Sequence, residues 1–491
     1  MLIFDEKGMA MWDFDKYSGR TAVIDESGCT VTYAELLEKS EIVKSVILQR
    51  SLCLILCKNS LGALASYISC ILQGSVPVLV KEDLDEELLE GIIRAYHPWY
   101  IFAPQKHILS LKNIVRLAEI YDYFLVETEY ASQSENYHLH NDLCQLITTS
   151  GSTGSPKFVR QSYENVESNA RSICEYLKLN DRERPITVLP LYYTYGLSVI
   201  NSHLMVGATV LLTDKSIMQK EFWSFLKEYQ ATSFAGVPYT YQMLNMLRFV
   251  RMDLPHLKTL TQAGGHLSPK LQEIFSRYCM DSGKKFFVMY GQCEATARMS
   301  YLDPDVSLSH LGSIGKAIPG GTFEIRDEKG ILISQSHCEG ELIYKGPNVC
   351  LGYAQGFADL SSGDENNGVL NTGDMGYFDD DGYFYISGRK KRFLKIFGNR
   401  LNLEELDEMV RDHFPDIEFA SWGIDDHVYL FVSRQEMTNP VRDYVILKTG
   451  LNPVAFKAVF IEQFPRNSSG KVLYRELEAW VKASETNDKI T

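Results

Sequence analysis

The segment Leu146–Lys157, LITTSGSTGSPK, concentrates groups able to hold an anion. An apolar strand end runs into two glycines, Gly151 and Gly154, interleaved with Thr148, Thr149, Ser150, Ser152 and Thr153, and the run ends on Lys157. Glycine admits positive φ, so successive N–H groups can converge into an anion nest; the hydroxyls add donors and the lysine a point charge. That composition suits a polyphosphate. It is not the P-loop pattern, which needs Gly directly before Lys and Ser or Thr after it, at the start of a helix. Here Pro156 precedes Lys157 and Phe158 follows it. Alone, the segment competes with a flexible polar surface loop.

Four further segments could do chemistry beside it. VMYGQCEAT, Val288–Thr296, sets Tyr290 and Glu294 around Gly291 after an apolar run, an aromatic plane and a carboxylate near one strand end. NTGD, Asn371–Asp374, supplies another turn carboxylate. GRKKRFLKIFGNRLNLEEL from Gly388 is a basic run, and PRNSSGKVLYR from Pro465 isolates Lys471 in a Gly/Ser loop. Each has a plain structural alternative: a core tyrosine, a turn cap, a solvated face, a surface lysine.

These residues need strands and helices to position them. Leu52–Cys57 is a short apolar run, Leu61–Leu72 has helical spacing, and Val76–Val80 is strand-like again. The alternation recurs through Thr187–Leu191, Ile200–Val206, Thr209–Thr213, Lys220–Tyr229 and Ser233–Val237, which predicts βαβ units and mostly parallel sheet. Binding loops then belong at the carboxyl ends of strands. After about Gly312, Gly and Asp turns separate short β-rich runs such as Gly340–Tyr344 and Tyr383–Ser387, a small antiparallel element. From Gly388 the chain turns basic and then helical over Leu403–His413, with Asn402 as N-cap. The main boundary falls at Ser387/Gly388.

Composition narrows the function classes. The 491 residues are 45% hydrophobic and 23% charged, ordinary for globular domains and more than one core usually fills. Net charge is −14, and because residues 388–491 hold 16 basic and 16 acidic side chains, the imbalance lies wholly in residues 1–387. An acidic body argues against non-specific nucleic-acid binding. Asp5, Glu6 and Lys7 interrupt the place of a signal peptide's apolar stretch. Leu52–Val80 is broken by Lys58, Asn59, Gln73, Gly74 and Pro77, so no membrane span is expected. Ten cysteines without a CxxC pair fit a reduced, cytoplasmic protein rather than a disulfide framework or zinc site.

Together and in this order, the segments resemble the adenylate-forming superfamily: acyl-CoA synthetases, aryl-acid ligases, luciferases and the adenylation domains of non-ribosomal peptide synthetases. The resemblance runs from Asn59 and Gln73–Pro77 through TSGSTGSPK, GVPYTYQML at Gly236, AGGHL at Ala263, YGQCE, GSIGKAIPG at Gly312, TGD and GRKKRFLKIFG to NSSGK. It implies an α/β protein with a large multi-layer N-terminal domain (1–387) of mostly parallel sheets plus a small β-barrel-like subdomain. A small, mobile α+β C-terminal lid domain (388–491) would follow. It implies ATP-dependent activation of a carboxylic acid to an acyl-AMP, followed by transfer to a thiol.

The resemblance also implies site residues. Thr149, Ser150, Gly151, Ser152, Thr153, Gly154 and Lys157 would hold the ATP phosphates, and Tyr290, beside Gly291, would stack on adenine. Gly264 and Gly265 would line the adenine and acyl slot. Glu294, with Thr149, would hold Mg²⁺. Asp374 would bind the ribose hydroxyls, helped by Arg389, and Lys471 would bridge the substrate carboxylate and ATP. Lys391 would be the hinge of a C-terminal lobe that swings between two half-reactions, bringing Lys395 and Gly398 to the acceptor tunnel. Arg389, Lys390, Lys391, Arg392, Lys395 and Arg400 would form a basic rim facing polyphosphate or an acidic carrier.

One departure stands out. The family usually has Thr where this chain has Cys293, a hydroxyl that contacts the α-phosphate. Thiols are weak donors, so slower ATP chemistry is expected, or Thr296 or a main-chain group supplies the contact. Amino-acid-adenylating relatives usually place an Asp in the stretch matching LPLYYTYGLSVI, yet no Asp or Glu occurs between Pro185 and Thr213. An unpaired ammonium in an apolar slot would cost several kcal/mol, which disfavours amino acids. Tyr192, Tyr193, Tyr195, Tyr239 and Tyr241 suggest an aromatic-walled pocket for an aryl or medium acyl carboxylate, or else core positions. The chain ends at Thr491, soon after Lys471, so no fused carrier domain is expected. The acceptor would be coenzyme A or the phosphopantetheine of a carrier protein in trans. A nucleotide-binding scaffold with weak turnover is the reading from another class.

Overall fold

The computed structural model describes all residues except 1–10, 85, 110, 133–137, 149–156, 397–398, 467–469 and 488–491. The chain divides into two compact units. One holds residues 1–323 and 344–370, the other residues 324–343 and 371–491. The boundary expected at Ser387/Gly388 therefore lies within the second unit.

The first unit is built on two sheets, one mostly parallel and one mixed, with a parallel centre flanked by antiparallel strands where mostly parallel pairing was expected. Leu52–Cys57 is buried along its whole length and pairs in parallel with Val76–Lys81 and Tyr100–Pro104, while Val76–Lys81 pairs in parallel with Leu143–Thr148. Strands covered on both faces read as unbroken apolar runs, which is why alternation is missing from LCLILC. Between them Leu61–Leu72 is a helix capped by Ser60, whose side chain accepts the Ala63 N–H, and residues 61–71 are all buried. The apolar stretch is thus a buried strand–helix–strand unit. Among the described residues no helix is long and apolar enough to cross a membrane.

The second sheet runs in parallel through Thr21–Asp25, Val210–Leu212, Pro185–Ile186, Ser233–Gly236, Thr259–Gln262 and Lys285–Tyr290. Ser300–Leu302 and Ser313–Ala317 extend it antiparallel. One core joins Ile55 and Leu79 of the first sheet to Val23 and Val210 of the second through Leu64, Tyr67, Leu197 and Ile200 of intervening helices. The strand expected over Thr187–Leu191 stops at Ile186. Beyond it, the Leu189 and Pro190 carbonyls crowd Gly196, where a Cβ would collide with them. The stretch Ile200–Val206 belongs to the buried helix Thr194–Met205.

In the second unit, the region expected to be β-barrel-like contains the antiparallel pair Val369–Phe378 and Phe384–Arg389. Further along, Leu403–His413 is helical and the Asn402 side chain accepts the Glu404 N–H, the cap expected from sequence. Phe419–Ile424 pairs antiparallel with His427–Val432, which pairs in parallel with Phe456–Phe460. The Leu403–His413 and Thr438–Thr449 helices pack on this sheet around Leu406, Val410, Leu430, Val432, Val441 and Val445.

Candidate functional site

The serine- and glycine-rich loop closes an antiparallel hairpin. Leu143–Thr148 pairs with Phe158–Ser162, and the last pair before the loop is Thr148 with Phe158. A strand–loop–strand setting also separates it from a P-loop, where a helix follows. Thr149, Ser150, Gly151, Ser152, Thr153 and Gly154 lie outside the described residues. Lys157 ends the loop, with Nζ 3.4 Å from the centroid of the Tyr353 ring. The Tyr353 hydroxyl in turn donates to Glu294 Oε1 at 2.7 Å. Burial, and then the Glu294 charge, push this phenol well above its usual range. A lysine, a phenol and a carboxylate from three remote sequence positions thus form one cluster.

Tyr353 was not singled out from sequence, and its placement rests on a buried tie. It lies in the short strand Gly352–Ala354, which pairs with Phe158–Ser162. Arg160 is fully buried there; it donates to the carbonyls of Leu351, Tyr353, Ser362 and Gly363 and pairs with Glu365 at 2.7 Å. The sequence signal was only a tyrosine in LGYAQG, and cross-strand pairing of segments 190 residues apart is invisible to local periodicity.

Glu294 lies on an excursion between Tyr290 and Ser300, which pair with one another. Tyr290 is half-buried at the strand end, and its hydroxyl accepts from Gln292 Nε2 at 3.1 Å. Gly291 is required by packing, since a Cβ there would run into the Ala297 carbonyl. The Cys293 thiol accepts from Thr194 Oγ1 at 2.9 Å and lies 3.7 Å from the Thr148 carbonyl, so it sits where the hairpin loop departs. Thr296 is buried and donates to the Asn348 carbonyl at 2.8 Å. Thr194, at the start of its helix, is the hydroxyl that reaches Cys293.

Gly264 has φ +82°, and a Cβ on it would strike the Tyr193 hydroxyl and approach Val237 to 3.2 Å; one on Gly265 would meet Pro238 at 3.1 Å. Backbone and phenol therefore approach as only glycine allows. Burial raises the Tyr193 phenol above its usual range. The other tyrosines divide. Tyr192 is half-buried, whereas Tyr195 and Tyr241 are core residues whose hydroxyls meet Thr261 Oγ1 at 2.8 Å and the Thr261 carbonyl at 2.9 Å. Tyr239 is exposed on the helix Pro238–Met246. Tyr193 and Gly264 are thus brought together, and Tyr239 is not part of that contact.

In the second unit, Asp374 and Arg389 are direct cross-strand partners, with Arg389 Nε 2.6 Å from Asp374 Oδ1. Asp374 is 2% exposed, and Gly373 before it takes φ +70°. Three residues of the basic run have acidic partners within this unit, Arg389 with Asp374 as above. Lys390 pairs with Glu341 at 2.7 Å, and Arg392 pairs with Asp407 at 2.9 Å while stacking 4.1 Å over Tyr474. Arg392 thus ties elements within the unit. Gly398 and the side chains of Lys391, Lys395 and Arg400 lie outside the described residues. Lys471 sits in a loop closed by a bridge between Arg466 and Val472, with Gly470 at φ +76°.

The donor set bears on magnesium. Among the described residues no three His, Cys, Asp or Glu side chains gather as a metal cage. Mg²⁺ commonly takes one or two carboxylates and completes its shell with phosphates and water. A single carboxylate, Glu294, close to Lys157 at the phosphate-type loop fits an ion of that kind.

The family model described as AMP-binding enzyme matches residues 11–354. The 2-succinylbenzoate–CoA ligase of Bacillus subtilis is 26% identical over 475 residues, covering 94% of this chain and 95% of the relative. That of Bacillus cereus strain AH820 is 28% identical over 444 residues, covering 87% and 88%. Among solved structures, the Bacillus subtilis o-succinylbenzoate CoA synthetase bound to its acyl-adenylate intermediate superposes with TM-score 0.74 at 24% identity, covering 93% of this chain and 95% of that one. An anthranilate CoA ligase with anthranoyl-AMP gives 0.76 at 17% identity, covering 98% and 100%. Motifs, fold and family model agree along most of the sequence: the chain belongs to the AMP-binding enzyme family of the adenylate-forming superfamily.

Proposed function

We propose that this protein is an AMP-forming acid–thiol ligase with coenzyme A as acceptor. The observation that carries the reading is the Lys157–Tyr353–Glu294 cluster at the end of the phosphate-type loop, in a chain that matches acid–CoA ligases over nearly its whole length. In the first step a substrate carboxylate oxygen attacks the α-phosphorus of ATP. The bond from that phosphorus to the bridging oxygen breaks, pyrophosphate leaves, and an acyl-AMP remains. In the second step the thiol sulfur attacks the acyl carbonyl carbon, its proton is lost, and AMP leaves.

The protein's part is positioning and charge neutralisation, without a covalent protein nucleophile. Residues 149–154 and Lys157 are assigned to the β- and γ-phosphates, Tyr290 to adenine, Gly264 and Gly265 to the slot beside it, and Asp374 with Arg389 to the ribose. Lys471 is assigned to the attacking carboxylate and Lys391 to the hinge, with Lys395 and Gly398 serving the acceptor. Glu294, with Thr149, would hold Mg²⁺, which when bound neutralises phosphate charge. For the acid, an aryl carboxylate is favoured. The relatives' names specify 2-succinylbenzoate, and Tyr193 against Gly264 supplies an aromatic wall.

The test is carboxylate-dependent exchange of labelled pyrophosphate into ATP across a panel of aryl, fatty and dicarboxylic acids. At least one acid should support exchange and give an acyl-AMP visible by mass spectrometry. Silence across the panel would remove the ligase reading. Coenzyme A should then release AMP faster than a purified carrier protein does; the reverse order would reassign the acceptor.

A further inference from the structure

Glu294 and Lys157 carry opposite charges at the end of the phosphate-type loop, and a phenol stands between them. The Tyr353 hydroxyl donates to Glu294 Oε1 at 2.7 Å, while Lys157 Nζ lies 3.4 Å from the centroid of the same ring. Other sheltered carboxylates of this chain take a cation directly. Asp374 meets Arg389 at 2.6 Å, Glu341 meets Lys390 at 2.7 Å and Asp407 meets Arg392 at 2.9 Å. Glu294 is held by a phenol instead.

Fixed backbone on both sides imposes this contact. Tyr353 pairs with Val159 in the strand that leaves the loop, and its carbonyl accepts from Arg160 Nε at 3.0 Å. A Cβ on Gly352 would strike Glu365 and Arg160, so the chain before Tyr353 is closely packed. On the other side, the Glu294 carbonyl accepts from the Cys350 N–H at 2.8 Å and the Cys293 carbonyl from Gln161 Nε2 at 2.9 Å. Past Glu294, Thr296 and Ala297 adopt φ +52° and +95°, a conformation non-glycine residues hold only where the surroundings impose it. The nearby arginines are engaged elsewhere. Arg298, which ends the excursion, is 1% exposed and turns to neutral groups, donating to Ser198 Oγ at 3.2 Å and Tyr176 Oη at 3.0 Å. Arg160 is satisfied by four carbonyls and Glu365.

A direct lysine–carboxylate pair would quench both charges at short range. A ring face attracts an ammonium through its quadrupole and leaves N–H groups for an anion. The phenol also occupies Oε1 of Glu294, which leaves Oε2 for a cation. One carboxylate oxygen suits Mg²⁺, which keeps near-octahedral geometry and completes its shell with phosphates and water. Ca²⁺ takes more oxygens and accepts both atoms of a carboxylate.

We propose that Tyr353 is a positioning residue that keeps Lys157 off Glu294 and limits that carboxylate to a one-oxygen contact, so that the site selects Mg²⁺ over the larger Ca²⁺ with its nucleotide. This rests on the assignment of Glu294 to the metal above and adds how the chain chooses the ion.

The experiment titrates the protein calorimetrically with ATP at saturating Mg²⁺ or Ca²⁺, without any acid, so that binding is read apart from turnover. Wild type should bind ATP more tightly with Mg²⁺. In Tyr353→Phe, which keeps the ring under Lys157 and loses the hydroxyl, the ratio of the two affinities should fall roughly 5-fold or more, the scale of a hydrogen bond to a charged group at a part-exposed site. Tyr353→Leu removes the ring as well, so Lys157 can reach Glu294 and ATP affinity should fall with both ions. In a Glu294→Ala background, Tyr353→Phe should leave the ratio unchanged, because the phenol acts through that carboxylate. Should Tyr353→Phe not fold, Tyr353→Leu supplies the ratio. A wild type without preference for Mg²⁺, an undiminished ratio in the folded variant, or a Phe effect that persists without Glu294 overturns this inference and leaves the ligase reading standing. The expected selectivity together with pyrophosphate exchange on no acid overturns the ligase reading alone. No binding of ATP with either ion overturns both.

Discussion

Replacing Cys293 tests whether its position faces the reacting phosphate. The thiol lies 2.9 Å from Thr194 Oγ1 and 3.7 Å from the Thr148 carbonyl, at the root of the phosphate-type loop. A thiol is a weak donor, whereas a hydroxyl donating to a charged acceptor contributes about 1.5–3 kcal/mol. The site is only half-buried and a branched side chain must settle against Thr194, so about 1 kcal/mol is discounted for crowding. Cys293→Thr should then raise the adenylation rate by roughly 2- to 30-fold at 1.36 kcal/mol per tenfold. Cys293→Ser should do the same without the branch, and Cys293→Ala should sit at or below wild type. The assay is single-turnover acyl-AMP formation, with thermal unfolding as a control for folding. A gain in kcat with little change in KM for ATP would mean the hydroxyl acts on the transition state. Equal rates in the Thr, Ser and Ala variants would refute the reasoning and place the reacting phosphate elsewhere.

Two further outcomes follow from other groups. Lys471→Ala should abolish pyrophosphate exchange yet still convert synthetic acyl-AMP and coenzyme A to thioester; an equal loss in both half-reactions would remove the assigned role. His203 is buried, donates its Nδ1–H to the Val199 carbonyl at 2.8 Å, and is pushed down to about 4 by burial. The unfolded chain gains a proton below about pH 6.5 that the folded state refuses, so this contribution is full above pH 6.5 and lost as pH falls toward 4, by about 3 kcal/mol at the limit. Urea titrations between pH 7 and 4.5 should show a shallower loss of stability in His203→Leu than in wild type; parallel curves would mean His203 is not the group.

How much of this was legible in the sequence depends on the range of each contact. Leu52–Val80 reads as a strand–helix–strand unit because its apolar runs and its cap at Ser60 are local, and Asn402 signals its helix for the same reason. Asp374 and Arg389 are separated by a tight turn, so their cross-strand pairing follows from the strands on either side. Tyr353 and Arg298 were not legible. Tyr353 reaches Glu294 only because Gly352–Ala354 joins the edge beside Phe158–Ser162, and nothing local in LGYAQG shows that. Arg298 reads as an ordinary polar residue until its burial without a carboxylate is seen. In the basic run the charges of Arg389, Lys390 and Arg392 are conspicuous in sequence, while their partners Asp374, Glu341 and Asp407 are not.

A single side chain holds the excursion on which these arguments converge. Asn348, 1% exposed, donates through Nδ2 to the carbonyls of Ala295 and Arg298 at 2.7 and 3.1 Å, while its own carbonyl accepts from Thr296 Oγ1 and its Oδ1 from Tyr344 Oη at 2.8 Å. Those bonds span the two residues at positive φ, where each left-handed residue costs of order 1–3 kcal/mol unless its surroundings fix it. Buried and fully used, such a side chain specifies one backbone path rather than adding much net stability. Asn165 extends the clamp by donating to the Pro347 and Val349 carbonyls on either side of Asn348. Glu294 and Arg298 are therefore held by one turn, the carboxylate leaving it at one end and the buried guanidinium at the other. Distortion of this turn, as in Asn348→Ala, should therefore displace both side chains together.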